Sequence, residues 1–155
     1  MTVQTSPAST TVDQVDVRGP RFAAWATTAV LLSVLVTSAF SSGAAALLLA
    51  AQAVVFGVGA LAGPRRHPYG LLFARLVAPR LGPVTEREPV PPLRFAQLVG
   101  LLFAVVGVAG FATGAHLLGV IATAFALAAA FLNAAFGICL GCQIYPLAAR
   151  LRPAP

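Results

Sequence analysis

Two cysteines stand in the 155-residue chain, Cys139 and Cys142, inside the run Asn133-Ala134-Ala135-Phe136-Gly137-Ile138-Cys139-Leu140-Gly141-Cys142-Gln143-Ile144-Tyr145-Pro146. At C-x-x-C spacing one thiol can attack whatever the other carries. The pair can therefore close a disulfide, relay electrons or sulfane sulfur by thiol exchange, or share a metal. Tyr145, three residues beyond Cys142, is placed to orient or hydrogen-bond a leaving sulfur. A buried cysteine also packs as a small hydrophobe, so plain packing competes with thiol chemistry. A metal site is not expected, because zinc wants four ligands and the only histidines are His67 and His116, far apart in sequence. No cofactor is implied.

The segments that must position these thiols are apolar. The chain is 59% hydrophobic and 9% charged with mean hydropathy +0.89, against about 45–50% and about 25% in soluble domains. Ten arginines, no lysine and four carboxylates give the net charge of +6. A nucleic-acid binder would interleave such charge with a soluble fold; here Phe22 to Gly63 and Phe95 to Ala149 carry none, so no nucleic-acid partner is expected. The partner is a lipid bilayer. About 20 apolar residues cross a hydrocarbon layer of roughly 30 Å, and four such runs stand out, at about 22–41, 44–62, 95–112 and 117–140. Ser41-Ser42-Gly43 and Thr113-Gly114-Ala115-His116 are short enough to force antiparallel hairpins. The expected fold is an all-α, four-helix integral membrane bundle of two hairpins. A cleaved signal peptide is the competing reading of the first run, which is too long for an h-region of about 7–15 residues.

Residues 1–15 are rich in Ser and Thr and are expected to be a disordered tail; residues 151–155 form a second tail. Gly63-Pro64-Arg65-Arg66 closes the second span. The basic loop 63–94 holds six of the ten arginines. Within it Tyr69, Leu72, Phe73 and Leu76 recur at helical spacing beside Arg75 and Arg80. That pattern predicts a short interfacial helix, ended by Pro79, with Pro83, Pro89, Pro91 and Pro92 making an extended spacer. Arg65, Arg66, Arg75 and Arg80 are the candidate membrane-surface residues, and His67 beside them reads as loop.

All ten arginines fall on one side of the four-span plan. The positive-inside rule then puts both termini and the middle loop in the cytoplasm of a multi-pass protein of the cell (inner) membrane. The cysteines come out at the cytoplasmic rim of the fourth span, where reducing conditions disfavour a permanent disulfide. Gly141 is expected to loosen that helix end. A helix C-terminus raises a thiol pKa; if Gly141 breaks the helix and Cys142 opens a following turn near Arg150 or Arg66, the thiolate forms more easily. No charged residue lies inside these spans, which leaves a charge-driven pump without a carrier. Gln52 and Asn133 read as interhelical hydrogen bonds or, less simply, as substrate contacts. Gly59-x-x-x-Gly63, Gly110-x-x-x-Gly114 and the alanines from Ala122 to Ala135 offer small faces for close helix packing.

With Val15-Asp16-Val17-Arg18-Gly19-Pro20-Arg21-Phe22 and Cys139-x-Gly141-Cys142 followed by Tyr145, the chain resembles the bacterial membrane family of domain of unknown function 4395 over about residues 13–150. It is more distantly similar to the membrane domain that accompanies inner-membrane rhodaneses. Cys142 and Tyr145 match that domain's Cys-x-x-Tyr ending, while Gln143 stands where it has proline. The resemblance implies a small actinobacterial-type membrane protein associated with thioredoxin-like or rhodanese-like (sulfurtransferase) proteins. The reading that follows is a membrane-embedded dithiol handling electrons or sulfane sulfur at the cytoplasmic face, with homo-oligomerisation open. Its rivals are a non-enzymatic scaffold and a small transporter of sulfur compounds.

Overall fold

The computed structural model describes residues 12–151. Four long apolar helices carry the fold: α1 (Arg18–Ser38), α2 (Ser42–Ala62), α4 (Val90–Ala112) and α5 (His116–Phe136). Each is long and apolar enough to cross a membrane. Between α2 and α4 lies α3 (Pro68–Leu72), continued by a π turn (Phe73–Val77) and a 3-10 turn (Ala78–Arg80). After α5 comes a separate helix, α6 (Leu140–Arg150). Strands β1 (Gln14–Asp16) and β2 (Arg87–Pro89) form a small antiparallel ladder, with Val15 opposite Glu88. The expected all-α four-span bundle is the architecture observed.

The bundle core joins Leu31 and Val34 of α1, Leu49 and Phe56 of α2, Ala104 and Phe111 of α4, and Ala126 of α5. Small residues set the spacing. A Cβ on Gly110 would come within 2.9 Å of Gly119 Cα, so these glycines let the α4–α5 hairpin close. The two Gly-x-x-x-Gly pairs are not continuous packing faces, because Gly63 (φ +81°) and Gly114 (φ +82°) are turn residues in the left-handed region. The hairpin tips meet, Ser42 Oγ lying 3.1 Å from His116 Nδ1. Outward, Trp25, Leu47, Val54, Leu61, Leu102 and Phe125 are more than half exposed, an apolar surface that belongs in lipid.

The other end departs from the expected boundaries. Pro91 and Pro92 occupy the first turn of α4, where a missing N–H costs nothing, so α4 begins at Val90 and not at residue 95. Arg94 is therefore helical, and its guanidinium donates to the carbonyls of Ala60 and Leu61 at the end of α2. Likewise α1 begins at Arg18, so the spans include arginines at their ends. Residues 12–15 are ordered, not part of a disordered tail. Val90 N–H donates to Asp13 O, Arg65 pairs with Asp13 at 2.8 Å, and Arg18 pairs with Asp16 at 2.8 Å. The Arg18 guanidinium holds the Asp16 carboxyl below the usual carboxylate range. The remainder of the expected tails, residues 1–11 and 152–155, lies outside the described residues. The middle segment is helical from Pro68 to Arg80, continuing one residue past Pro79, and it docks by Phe73, which is buried against Phe22 and Gly19 of α1.

Candidate functional site

The fourth span does not run to residue 140. Gly137 stops α5 with φ +68°; its N–H donates to Asn133 O at 3.1 Å and that of Ile138 to Leu132 O at 3.2 Å, the pairing of a glycine-closed helix end. The chain then turns, and Cys139 becomes the N-cap of α6, its Sγ accepting from the Cys142 N–H at 3.2 Å. The expected C-terminal placement of the thiols is thereby reversed. They sit at a helix N-terminus, where backbone donors and the helix dipole stabilise a thiolate. The break falls at Gly137 rather than Gly141, and the arginine brought close is Arg21, whose guanidinium lies beside Gly137.

Cys139 and Cys142 are joined as a disulfide with their Cα atoms 5.2 Å apart, a bonded state not expected at a reducing face. Gly141 does not loosen the helix. A Cβ there would come 2.6 Å from Ala96 Cα, so the missing side chain lets α6 lie directly on α4. Tyr145 reinforces that contact, its ring 5.9 Å from Phe95, and among the described residues its hydroxyl makes no hydrogen bond. The adjacent face of α6 carries Leu140, Ile144 and Leu147, continued by Leu151 at the helix end, all partly open to the surroundings at the spacing of an interfacial amphipathic helix. The sequence reading absorbed this helix into the fourth span.

Beside the disulfide lies a cavity of about 300 Å³ between α1, α4, α5 and α6. Its walls are mainly Ala, Phe, Leu and Val, with Cys139 beyond the end of α5 and Phe125 about halfway along that helix. Thr27, Gln97 and Asn133 are its polar residues. Asn133, expected to bridge helices, lines this space and makes no side-chain hydrogen bond among the described residues. Gln52 does bridge, accepting from the Tyr69 hydroxyl at 2.8 Å.

The residue the sequence reading passed over is His67. It is 3% exposed, packed with the Gln97 side chain in the gap left by Gly59 and 5.3 Å from the Tyr69 ring. Both ring nitrogens and Gln97 Oε1 lack an aligned partner. Burial pushes the His67 imidazole below its ordinary range, an effect the adjacent Gln97 amide only partly offsets, and burial raises Tyr69. A histidine flanked by Arg66 and Pro68 gave no periodic signal of burial; only the Gly59 gap, visible in three dimensions, explains it. Arg65, Arg66, Arg75 and Arg80 are exposed on the same end of the bundle, and no three potential metal ligands converge among the described residues.

Comparison with curated proteins and with solved structures gives no significant match. The family model described as "Domain of unknown function (DUF4395)" matches residues 15–150. That match takes in every helix, the β1–β2 pairing and the cysteine turn almost from end to end, and the chain belongs to the DUF4395 family.

Proposed function

We propose that this membrane protein cycles Cys139 and Cys142 between dithiol and disulfide, exchanging electrons with a thioredoxin-like partner at the cytoplasmic face of the cell membrane. One observation carries the reading: the bonded pair caps the start of α6 at the arginine-bearing end of the bundle, which the positive-inside rule assigns to the cytoplasm. At a helix N-terminus Cys139 is the better leaving group, because a stabilised thiolate departs faster. An incoming partner thiolate would thus attack Cys142 Sγ, form a mixed disulfide there, and release Cys139 as thiolate. A second partner thiol would then free Cys142 and carry the disulfide away. A rhodanese-like partner would meet the same thiols with a persulfide, passing sulfane sulfur instead of electrons.

The experiment is thiol trapping in native membranes. Reduced thioredoxin should open the Cys139–Cys142 bond and expose two thiols to alkylation, read as a mass increase of two adducts. A thioredoxin whose resolving cysteine is changed to serine should be held on the wild-type disulfide as a mixed disulfide at Cys142, with Cys139 open to alkylation, and neither single cysteine-to-serine variant, lacking the disulfide, should trap it. A persulfide donor yielding a stable added sulfur, with thioredoxin inert, moves the reading to sulfur transfer. If neither reagent acts and a Cys139→Ser/Cys142→Ser double variant keeps its cellular phenotype, the dithiol reading falls and a scaffold role takes its place.

A further inference from the structure

A disulfide needs a second electron partner if it is to turn over, and beside this one lies an apolar cavity. Cys139 forms part of the cavity wall; Cys142 does not. The disulfide therefore meets the apolar space through Cys139. From Phe125 to Asn133 the cavity runs along about 12 Å of α5 at 1.5 Å per residue, reaching into the hydrocarbon layer. Phe125 and Ile144 on its walls are 61% and 50% exposed, so the space is open along an edge. Its volume, about 300 Å³, stands at the lower bound of small-molecule sites. That suits a one- or two-ring head group with any tail lying outside in lipid.

We infer that the cavity binds the head group of a lipophilic quinone, which takes two electrons from the Cys139–Cys142 dithiol and restores the disulfide. The inference rests on the dithiol reading above. An apolar space selects a lipid-soluble oxidant, and the redox pair on its wall selects one that accepts two electrons and two protons together. The amide of Asn133, which lines the space and makes no side-chain hydrogen bond among the described residues, supplies what a ring oxygen requires in both states: an N–H donor to a quinone carbonyl and a carbonyl acceptor to a quinol hydroxyl.

The chemistry balances without a further reagent. Cys139 thiolate adds to a ring carbon, forming a C–S bond. Cys142 thiolate then attacks Cys139 Sγ, the S–S bond forms, and the C–S bond breaks with its electron pair left on the ring. The two protons of the dithiol end on the two ring oxygens, so dithiol and quinone become disulfide and quinol.

The test uses the full chain in nanodiscs, reduced, desalted and kept free of oxygen, with menadione as probe. Menadione should be reduced at one equivalent per protein with saturation, while the thiols disappear. Ala129→Phe and Ala130→Phe, each placing a ring in the cavity, should slow this at least tenfold in protein that elutes and gives helical circular dichroism as the wild type does. Equal rates in wild type and both variants would mean that menadione meets the thiols from solvent, and would overturn the inference, as would a rate that never saturates, the result expected of a cavity filled by acyl chains. If thioredoxin opens the disulfide and menadione does not re-form it, the quinone site alone is lost. If thioredoxin fails to open it at all, the fault lies with the dithiol reading.

Discussion

His67 shows how one residue can hide from a sequence and still govern the protein's response to pH. Its ring is enclosed with Gln97 and Tyr69, and its pKa is held below the ordinary value of about 6.5. In the unfolded chain it takes up a proton as pH falls past that value, while in the folded protein it does not. The unfolded state therefore binds more protons between the two pKa values, and stability, complete above about pH 6.5, declines as pH falls through the folded value. In that window each pH unit costs up to about 1.4 kcal/mol. In detergent, wild-type unfolding midpoints should drop between pH 7 and pH 5, and His67→Phe should flatten the curve; a parallel drop in the variant would assign the loss to other groups. Residue by residue, legibility followed the range of the interaction. The cysteine spacing is local and stands in the sequence; the stop at Gly137 is local too, but the apolar run through Ile138 and Leu140 masked it. The contact of Gly141 with Ala96 and the enclosure of His67 beneath Gly59 join residues dozens of positions apart, and no pattern of residue types announces them.

At the scale of elements, the four spans were readable because hydrocarbon thickness dictates their length and composition. Their arginine-bearing ends were not, because tertiary contacts there override the apolar boundary. Arg94 lies within a helix because Pro91 and Pro92 start it early, and its side chain then caps another helix, donating to Ala60 and Leu61 carbonyls that would otherwise lack partners. The positive charge also opposes the negative end of the α2 dipole. Arg94→Ala should cost about 1 kcal/mol, the scale of an exposed charged hydrogen bond, and Arg94→Lys less, since an ammonium keeps the charge without the planar fork. Chemical unfolding in mild micelles should order them wild type, Lys, Ala; an alanine variant equal to wild type would show that water replaces the guanidinium at no cost. The same reasoning separates α6 from α5. A strong apolar run continued through Ile138 and Leu140, but the left-handed Gly137 between them and Phe136 redirected the chain onto the first turns of α4.

Taken whole, the molecule is polarised: every arginine among the described residues lies at or beyond the end formed by Arg18, Ala62, Val90 and Phe136, while the tips joined by Ser42 and His116 have none. Sequence carried this asymmetry because charge placement is written residue by residue. It could not carry the cavity, which is the space that four packed helices leave unfilled. Polarity decides whether the disulfide has a partner, since thioredoxin-like proteins in the cytoplasm reach one face only. In a Cys139→Ser/Cys142→Ser background, Gly43→Cys at the first tip and Gly82→Cys in the middle segment introduce single thiols where the structure leaves room; a Cβ at Gly82 meets nothing within 4 Å. A membrane-impermeant maleimide should label Gly43→Cys in intact cells and Gly82→Cys only after the membrane is opened. Ala115→Cys should behave as Gly43→Cys does, because the Ser42–His116 contact holds both tips on one side. The reverse pattern would turn the bundle over and put the cysteine turn in the oxidising compartment. A permanent disulfide would then need no redox cycle to explain it, and thioredoxin-like electron donors would have to be sought outside the cytoplasm.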